Sequence, residues 1–305
     1  AEGYRVVGVF IKVWHPDWLP CHWEEERLDA MRVAARLGIP FLTCDAEAAY
    51  RDDVAAYFIE SYKAGRTPNP DVMCNKYVKF GQFLQFAREQ GADFIATGHY
   101  AQRRVVQNAS GEHYELHRGV DVEKDQTYFL WTLTQEQLAH TLFPVGRSTK
   151  TEIRDEAAQA GFLTASKKDS QGICFVGEID VNEFIEAFVG EKPGEIVTTE
   201  GEVIGSHRGI YFHTIGQRKG LGIGGGIPYF VVAKDKEKNQ LIVAKGMNPE
   251  ELFTDSVVVT DVTWTVSEPE LPQTFGIKVR YRSKDVEGTA EKINENTLQV
   301  TFKDK

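Results

Sequence analysis

Strand-sized apolar runs alternate with helix-sized amphipathic stretches along the first hundred residues of the chain. Residues 4–11 form a β-branched apolar run that is typical of a buried strand. Residues 47–64 repeat apolar side chains at helical spacing and stop at Gly65, a residue type that commonly follows a helix. The predicted elements are strands at 4–11, 39–43 and 94–96, and helices at 24–37, 47–64 and 77–90. Strands that alternate with helices indicate a parallel sheet covered by helices.

The pattern changes in the second half of the chain. Residues 149–192 look like a small helical segment, because Thr149 with Glu152 and Asp180 with Glu183 have the spacing of capping boxes. From about residue 195 onward the sequence consists of short β-branched runs separated by turn signals, which predicts a small β-barrel. We therefore predict an α/β domain at 1–146, a small central domain at 147–206 and a β-barrel domain at 207–305.

Composition narrows the class of protein. The 305 residues are 42% hydrophobic and 26% charged, as in ordinary soluble proteins, and we expect no membrane segment and a cytoplasmic location with reduced thiols. The net charge of −10 argues against non-specific coating of nucleic acid. Three local clusters of basic residues have two possible interpretations. They could form a cationic groove for nucleic acid, or they could be ordinary solvated surface. They are Lys63, Arg66, Lys76 and Lys79; then His207, Arg208, His213, Arg218 and Lys219; then Lys278, Arg280, Arg282 and Lys284.

Two cysteines lie in short polar segments that we predict to be loops, with lysines nearby. Cys74 follows a stretch stiffened by Pro68 and Pro70, and Cys174 follows Lys167 and Lys168. Nearby cations lower the pKa of a thiol, and the thiolate is its reactive form, so both positions favour sulfur chemistry. Asp71 is placed to act as a general base or to hold a polar ring by hydrogen bonds. The alternative is that each cysteine simply fills a gap, as buried cysteines commonly do.

The other two cysteines have different predicted roles. Cys44 ends a predicted strand and is interpreted as structural. Cys21 and His22 could join Cys44 around a metal, but the spacing matches no common zinc pattern, so no metal site is predicted.

Three further segments have the composition of ligand-binding loops. Gly98 and His99 follow the third predicted strand directly, where ligands bind in parallel sheets, although a plain tight turn would look the same. Residues 124–130 combine polar side chains with aromatic rings, as in RNA recognition or in a turn that enters a buried element. Residues 213–226 are rich in glycine and basic residues, and they predict a flexible loop that lies along RNA or closes over the site, or a long barrel loop without a ligand.

Taken together, these segments resemble the bacterial tRNA-specific 2-thiouridylases. The likeness runs across nearly the whole chain, in matching order and spacing. It is carried by GRTPNPDVMCNKYVKF, ATGHYA, KDQTYFL, LFPVG, KKDSQGICF and HTIGQRKGLGIGG. The resemblance implies an ATP-pyrophosphatase fold of the adenine nucleotide hydrolase type, followed by the central domain and the barrel. It also implies adenylation of the C2 oxygen of the wobble uridine in the tRNA anticodon loop by ATP with Mg²⁺, and then sulfur transfer from a relay protein or a cysteine desulfurase.

The resemblance also implies roles for individual residues. Cys174 would carry a persulfide, Cys74 would assist sulfur release, and the two would end in a disulfide, with Asp71 as the base. Ile11 and Gly98 would contact the adenine nucleotide. The residues that would contact tRNA are Asn69, Pro70 and Asp71 around the target base, with His99, Lys124, Asp125, Gln126, Arg280 and Tyr281 elsewhere.

The sequence departs from the family pattern at its ends. The Ser-Gly-Gly-x-Asp-Ser loop that grips the ATP phosphates is absent from it, and residues 302–305 fall short of the family's last barrel strands. We therefore expect the sequence to be a fragment that adenylates tRNA poorly by itself. Two alternatives stay open, a non-catalytic RNA-binding remnant and a related adenylating enzyme with a small substrate, although amidation would need neither the cysteine pair nor the β-rich region.

Overall fold

The computed structural model describes residues 3–19, 23–108, 111–167, 181–224, 226–247 and 249–303. Its first part contains two short parallel strand pairs. Strand β1 (Gly8–Lys12) pairs with β2 (Phe41–Asp45), and β3 (Ile95–Ala96) pairs with β6 (Thr141–Leu142). The helices between them pack against these strands, so the predicted α/β architecture with parallel pairing is confirmed.

The first helices lie close to their predicted positions. Helix α1 is Trp23–Leu37, with three glutamates in its first turn, where they complement the helix dipole. A helical stretch then runs through α2 (Glu47–Ala49), the π-helical turns Tyr50–Ala55 and α3 (Ala56–Lys63). Gly38 and Gly65, the residues expected to end these helices, have φ of +64° and +73°. This is the left-handed backbone that glycine adopts most easily.

Two predicted boundaries were wrong. Residues 4–7 are not a buried strand, because β1 begins at Gly8 and Tyr4, Val6 and Val7 are exposed. Among the described residues β1 pairs only with β2, so the start of the apolar run has no strand beside it. The helix predicted at 77–90 begins earlier and runs through α4 (Pro70–Met73), the π-helical turns Cys74–Gln82 and α5 (Phe83–Glu89).

An antiparallel hairpin follows the third strand. Strand β4 (Ala101–Asn108) pairs along its whole length with β5 (Gly111–Arg118). Helix α6 is Gln135–Ala139 and helix α7 is Lys150–Gln159, and the capping box of Thr149 with Glu152 is present in α7. Helix α8 is Val181–Val189, while the second predicted capping box needs Asp180, which lies outside the described residues.

A glycine allows the close packing between the hairpin and the segment after β6. A Cβ atom on Gly146 would lie 1.7 Å from the backbone oxygen of Ala101. No side chain fits at such a distance, so this glycine of the LFPVG stretch is required by the fold itself.

The last third of the chain is all β, as predicted, but its strands form two open four-stranded sheets among the described residues rather than one closed barrel. The first sheet, in the order β8-β7-β10-β9, contains one parallel pair, β7 with β10. Its strands are β7 (Gly194–Thr198), β8 (Val203–His207), β9 (Tyr229–Asp235) and β10 (Gln240–Lys245). The second, β11-β14-β13-β12, is antiparallel throughout. Its strands are β11 (Ser256–Thr260), β12 (Gln273–Ile277), β13 (Val286–Asn294) and β14 (Thr297–Phe302).

Each sheet has a separate apolar core. In the first sheet, Ile196, Val231 and Leu241 are almost fully buried, and Leu221 from the glycine-rich segment packs with them. The same segment is tied to β9, because Val231 exchanges backbone hydrogen bonds with Gly216 and Gln217. Its first part is therefore packed against the sheet, and whether the segment lies along RNA or closes over a site stays a prediction.

Candidate active site

The segment that carries Cys74 is the start of a helix, not a loop. Asn69 is its N-cap, and its side-chain oxygen accepts a hydrogen bond from the backbone N–H of Val72 at 3.4 Å. Pro70 occupies the first helical position, where the missing N–H of proline has no consequence. Cys74 begins the π-helical turns, a backbone form that is frequent at functional sites. The position of Cys74 is therefore determined by the helix that begins after Asn69.

Cys74 is buried, with 6% of its surface exposed. It packs in a cluster with Tyr50, Val54 and Phe58 of the preceding helical stretch and Phe184 of α8. Cys174 lies outside the described residues, so the expected pairing of these two cysteines stays a prediction.

Asp71 lies in the first helical turn, three residues before Cys74. Its residue surface reaches solvent, yet the protein around the carboxyl removes enough water that burial raises its pKa, while the charge of Lys79 opposes this shift. A raised pKa makes a carboxylate a stronger base. This direction is consistent with the predicted role of Asp71.

Cys44 differs from Cys74 in its surroundings. It lies in β2 and is fully buried, and burial raises the pKa of its thiol to about 11, with smaller contributions from the charges of Asp45 and Glu89. A thiol of this kind stays protonated and inert. The interpretation of Cys44 as structural agrees with this position, whereas Cys21 and His22 lie outside the described residues.

Two predicted nucleotide contacts lie on the parallel strands. Ile11 is in β1, opposite Cys44 in the register, and is partly buried between two apolar clusters. Gly98 follows β3, and a Cβ atom placed on it would meet no described atom within 4 Å. Since packing among the described residues does not demand glycine there, the open backbone at the strand end suits the close approach of a ligand.

His99 points inward. Its ring is packed against those of Phe80 and Phe143, with centroids at 5.6 and 6.3 Å, and its Nδ1 lies 2.9 Å from the hydroxyl of Thr97. Burial, with a contribution from Lys79, lowers its pKa to about 3, so the ring is neutral. Its expected contact with tRNA stays a prediction.

The segment Lys124–Gln126 holds the turns around it. The carboxylate of Asp125, which is buried, accepts hydrogen bonds from the Gly119 N–H and the Thr127 hydroxyl. The side-chain oxygen of Gln126 accepts one from the N–H of Tyr100, next to His99, and its own N–H donates to the Tyr100 carbonyl. These two residues therefore connect the strand end at Gly98 to the aromatic turn Thr127–Phe129. Sequence reasoning missed this anchoring role.

The aromatic turn is joined to both the Cys74 helix and the second sheet. Asn75 donates a side-chain hydrogen bond of 3.0 Å to the carbonyl of Phe129. Tyr281 lies in the connection between β12 and β13, and its ring centroid is 4.6 Å from that of Phe129. Arg280, beside it, donates to the carbonyl of Ile215. The structure thus links Tyr281 to the Cys74 helix through the aromatic turn, although the two are about two hundred residues apart in sequence.

A cleft of about 430 Å³ opens where these elements meet. We call it the Trp131 cleft. Its lining residues are Tyr57, Asn69, Val72, Met73, Tyr128, Trp131 and Lys278. Of these, Asn69 was a predicted site residue and Lys278 belonged to one of the predicted basic clusters. The KDQTYFL stretch includes Tyr128, so the sequence pattern already included one residue of the cleft.

The described residues contain no group of three or more His, Cys, Asp or Glu side chains placed to hold a metal ion. Within the same ranges, every helix is too short or too polar to cross a lipid bilayer.

Comparison with known proteins matches the chain to three consecutive family models. These are described as the tRNA methyl transferase HUP domain over residues 1–178, the tRNA methyl transferase PRC-barrel domain over 182–245 and the aminomethyltransferase beta-barrel domain over 254–305. A protein of Listeria welshimeri named tRNA-specific 2-thiouridylase MnmA is 47% identical over 308 residues, which cover 99% of this chain and 82% of that protein. Proteins with the same name from Psychromonas ingrahamii and Idiomarina loihiensis are each 45% identical, over 99% of this chain and 83% of their own length.

The chain belongs to the tRNA-specific 2-thiouridylase family. The HUP match contains the parallel strands and the Cys74 helix, and the two barrel matches contain the first and second sheets respectively. Within this family assignment, the division at 146 and 206 that we predicted from composition stays a prediction.

The relatives are named as 2-thiouridylases, whereas the description of the HUP family model refers to a tRNA methyl transferase. The structure places Cys74 near a helix start, three residues after a carboxylate of raised pKa, and its role in sulfur chemistry stays a prediction.

Proposed function

We propose that this protein is a tRNA-uridine 2-sulfurtransferase, which replaces the C2 oxygen of a uridine in tRNA by sulfur. The observation that carries this proposal is the likeness at 45–47% identity to proteins named tRNA-specific 2-thiouridylase over 99% of the chain. The position of Cys74 three residues after Asp71, in a helix whose first residues line a cleft with three aromatic rings and one lysine, supports it. The wobble position of the anticodon loop is the target that the resemblance implies.

The nucleotide cofactor of the proposed reaction is ATP, with Mg²⁺. The HUP domain match supports ATP binding, and the open backbone at Gly98 with Ile11 on β1 fits an adenine nucleotide at the strand ends. ATP would supply the adenylyl group that turns the C2 oxygen into a leaving group. The part of this chain is to bind the nucleotide and hold the uridine against it.

Sulfur transfer is assigned to the two cysteines. Cys174 carries a persulfide, whose terminal sulfur attacks C2 while AMP leaves with the former carbonyl oxygen. The Cys74 thiolate then attacks the Cys174 sulfur, which breaks the S–S bond and leaves sulfur on C2. The two electrons that reduce this sulfur come from the cysteines, which end as a disulfide and are reset by an external thiol. Asp71 accepts the proton released by the attacking sulfur.

Contacts with tRNA are assigned to three parts of the molecule. Asn69, Pro70 and Asp71 surround the target base, and Lys124, Asp125, Gln126 and His99 contact the RNA near the strand end. Arg280 and Tyr281 contact it from the second sheet. The sulfur comes from a relay protein or a cysteine desulfurase.

The test is sulfur transfer by the protein at its full natural length. The protein is incubated with ATP, Mg²⁺, a persulfide donor and unmodified tRNA, and 2-thiouridine is measured by mass spectrometry of the digested tRNA. We expect product from the wild type and from the matched control Cys44→Ala, and none from Cys74→Ala or Cys174→Ala.

Wild-type yield from Cys74→Ala would remove Cys74 from the mechanism. Intact tRNA binding by the wild type without any product would replace the proposal by a non-catalytic RNA-binding function.

A further inference from the structure

The Trp131 cleft is built from four separate parts of the chain. Tyr57 comes from helix α3, Asn69 from the cap of α4, Tyr128 and Trp131 from the aromatic turn and the residues after it, and Lys278 from the connection that follows β12. Its volume of about 430 Å³ lies within the range of about 300–1,000 Å³ that is typical of small-ligand sites.

Contacts hold the Tyr128 ring in place, and Trp131 leaves surface for a ligand. The Tyr128 hydroxyl donates to the carbonyl of Val279 at 3.3 Å, and its ring lies edge-on to that of Phe129. Trp131 is 42% exposed, so much of its indole is available for contact. Flat aromatic faces of this kind stack well on nucleobases.

The polar groups of the cleft complement the rest of a nucleotide. The Asn69 amide, which we assign to the target base, also lines the cleft and can meet the edge of the neighbouring base. Lys278 forms no ion pair with any of the described residues, so its ammonium is available for a phosphate. Aromatic faces, one amide and one cation together fit a nucleoside monophosphate unit of RNA.

The cleft is distinct from the pocket around the Cys74 thiol. Val72 and Cys74 are two residues apart, which is about 200° around a helix, so they point to opposite sides. Cys74 packs toward Tyr50, Val54 and Phe184, whereas Val72 lines the cleft. The Cys74 thiol therefore does not line the cleft, and Met73, which borders both, lies between them.

We propose that the Trp131 cleft binds a nucleotide next to the target uridine, with its base against Tyr128 and Trp131 and its phosphate at Lys278. This inference rests on the proposed function, because it takes tRNA as the ligand. It makes Trp131 and Lys278 positioning residues, which hold the RNA so that the neighbouring uridine reaches Cys74. The identity of the neighbouring base would then contribute to the choice of tRNA.

The test measures binding of an anticodon stem-loop RNA by fluorescence anisotropy. Loss of base stacking predicts roughly 5- to 150-fold weaker binding by Trp131→Ala, and Trp131→Phe should retain most of the affinity. The matched control Phe253→Ala removes an aromatic ring that is 49% exposed and lies outside the cleft, and it should bind like the wild type. Lys278→Gln should lower the salt dependence of binding by about 0.7 in logarithmic slope, as for one lost phosphate contact, and Lys292→Gln should not.

An RNA series assigns the site to one nucleotide. Each nucleotide beside the target uridine is replaced in turn by an abasic residue. We expect one such RNA to bind the wild type and Trp131→Ala equally, because the base that stacks is gone. If Trp131→Ala binds every RNA like the wild type, or if its defect is the same with every abasic RNA, the proposal is overturned.

The outcomes separate this inference from the proposed function. A wild type that binds the RNA and depends on Trp131, but makes no 2-thiouridine, would overturn the proposed function and keep the cleft. A wild type that makes 2-thiouridine with no dependence of binding on Trp131 would overturn the cleft alone. A wild type that binds no RNA would overturn both.

Discussion

The two four-stranded sheets approach the Cys74 helix by different kinds of contact. The first sheet reaches the residues before the helix through polar groups, since the Thr214 hydroxyl lies 3.1 Å from that of Thr67 and Lys234 donates to the carbonyl of Gly65 at 3.3 Å. The second sheet reaches the aromatic turn through packed rings, with Tyr281 against Phe129.

This difference indicates which side of the site is rigid. Single hydrogen bonds contribute little net stability, whereas packed aromatic rings bury large areas. The aromatic side is therefore expected to stay fixed, and the segment 65–68 to adjust when RNA binds. Four substitutions test this difference in rigidity, in order of decreasing expected effect.

Asn75→Ala should have the largest effect, because it separates the Cys74 helix from the aromatic turn. The buried Asn75 side chain donates to the carbonyl of Phe129, which would be left without this donor. We expect a loss of about 1–3 kcal/mol in the free energy of unfolding, measured by chemical denaturation. Gln85→Ala removes an exposed amide that bonds to Glu89 and is the control. Equal stability of the two variants would contradict a rigid aromatic side.

Tyr281→Ala should come next. It removes a ring from contact with Phe129 and Tyr128, at centroid distances of 4.6 and 6.1 Å, and we expect a loss of about 1–2 kcal/mol in the same measurement. Tyr281→Phe keeps the ring and should stay near the wild type. A large defect in the phenylalanine variant would show that the hydroxyl matters more than the packing.

Lys234→Met tests the polar side through its pH dependence. Burial, with a contribution from Lys236, lowers the pKa of Lys234 from 10.5 to about 8 in the folded protein. Between these two values the unfolded chain binds more protons than the folded one, so Lys234 makes wild-type stability rise with pH there.

The melting temperature of the wild type, relative to Lys234→Met, should therefore increase when the pH is raised from below 8 to about 10. Lys238→Met, at a side chain that is 71% exposed, controls for the removal of a surface charge. A constant difference across this pH range would mean that Lys234 is not buried in solution.

Arg118→Gln should have the smallest effect. Its guanidinium bonds to Asp285 at 2.6 Å and links the hairpin to the second sheet, but the Arg118 side chain is 56% exposed. Exposed ion pairs contribute about 0–1 kcal/mol, so thermal denaturation should show little change, and less in high salt. A loss larger than that of Tyr281→Ala would reverse the order of importance that we assign to the two kinds of contact.

Local patterns were sufficient to predict much of the α/β part and little of the site. The helix at 47–63 follows from its apolar spacing and Gly65, and the all-β character after 195 follows from short runs between turn residues. The helical start at Pro70 was also within reach, because Asn followed by Pro is an N-terminal helix signal. We gave more weight to the prolines as loop residues, which was wrong.

The remaining features depend on contacts between distant residues. The pairing of β4 with β5 was omitted, although Asn108 and Gly111, at the adjoining ends of the two strands, are residue types common in turns. The Trp131 cleft joins Tyr57 to Lys278, and no local pattern places these two side chains together. Likewise, Asp125 has the composition of an RNA contact, and only the fold shows that its carboxylate holds the Gly119 N–H.

The capping bond of Asn69 has a consequence for experiment. Its side chain both faces the Trp131 cleft and accepts the N–H of Val72. A ligand that draws the amide of Asn69 toward itself competes with that N–H, so occupancy of the cleft and protection of one backbone proton are thermodynamically linked. The hydrogen–deuterium exchange rate of the Val72 N–H therefore reports whether the cleft is occupied, without any chemical label on the protein or the RNA.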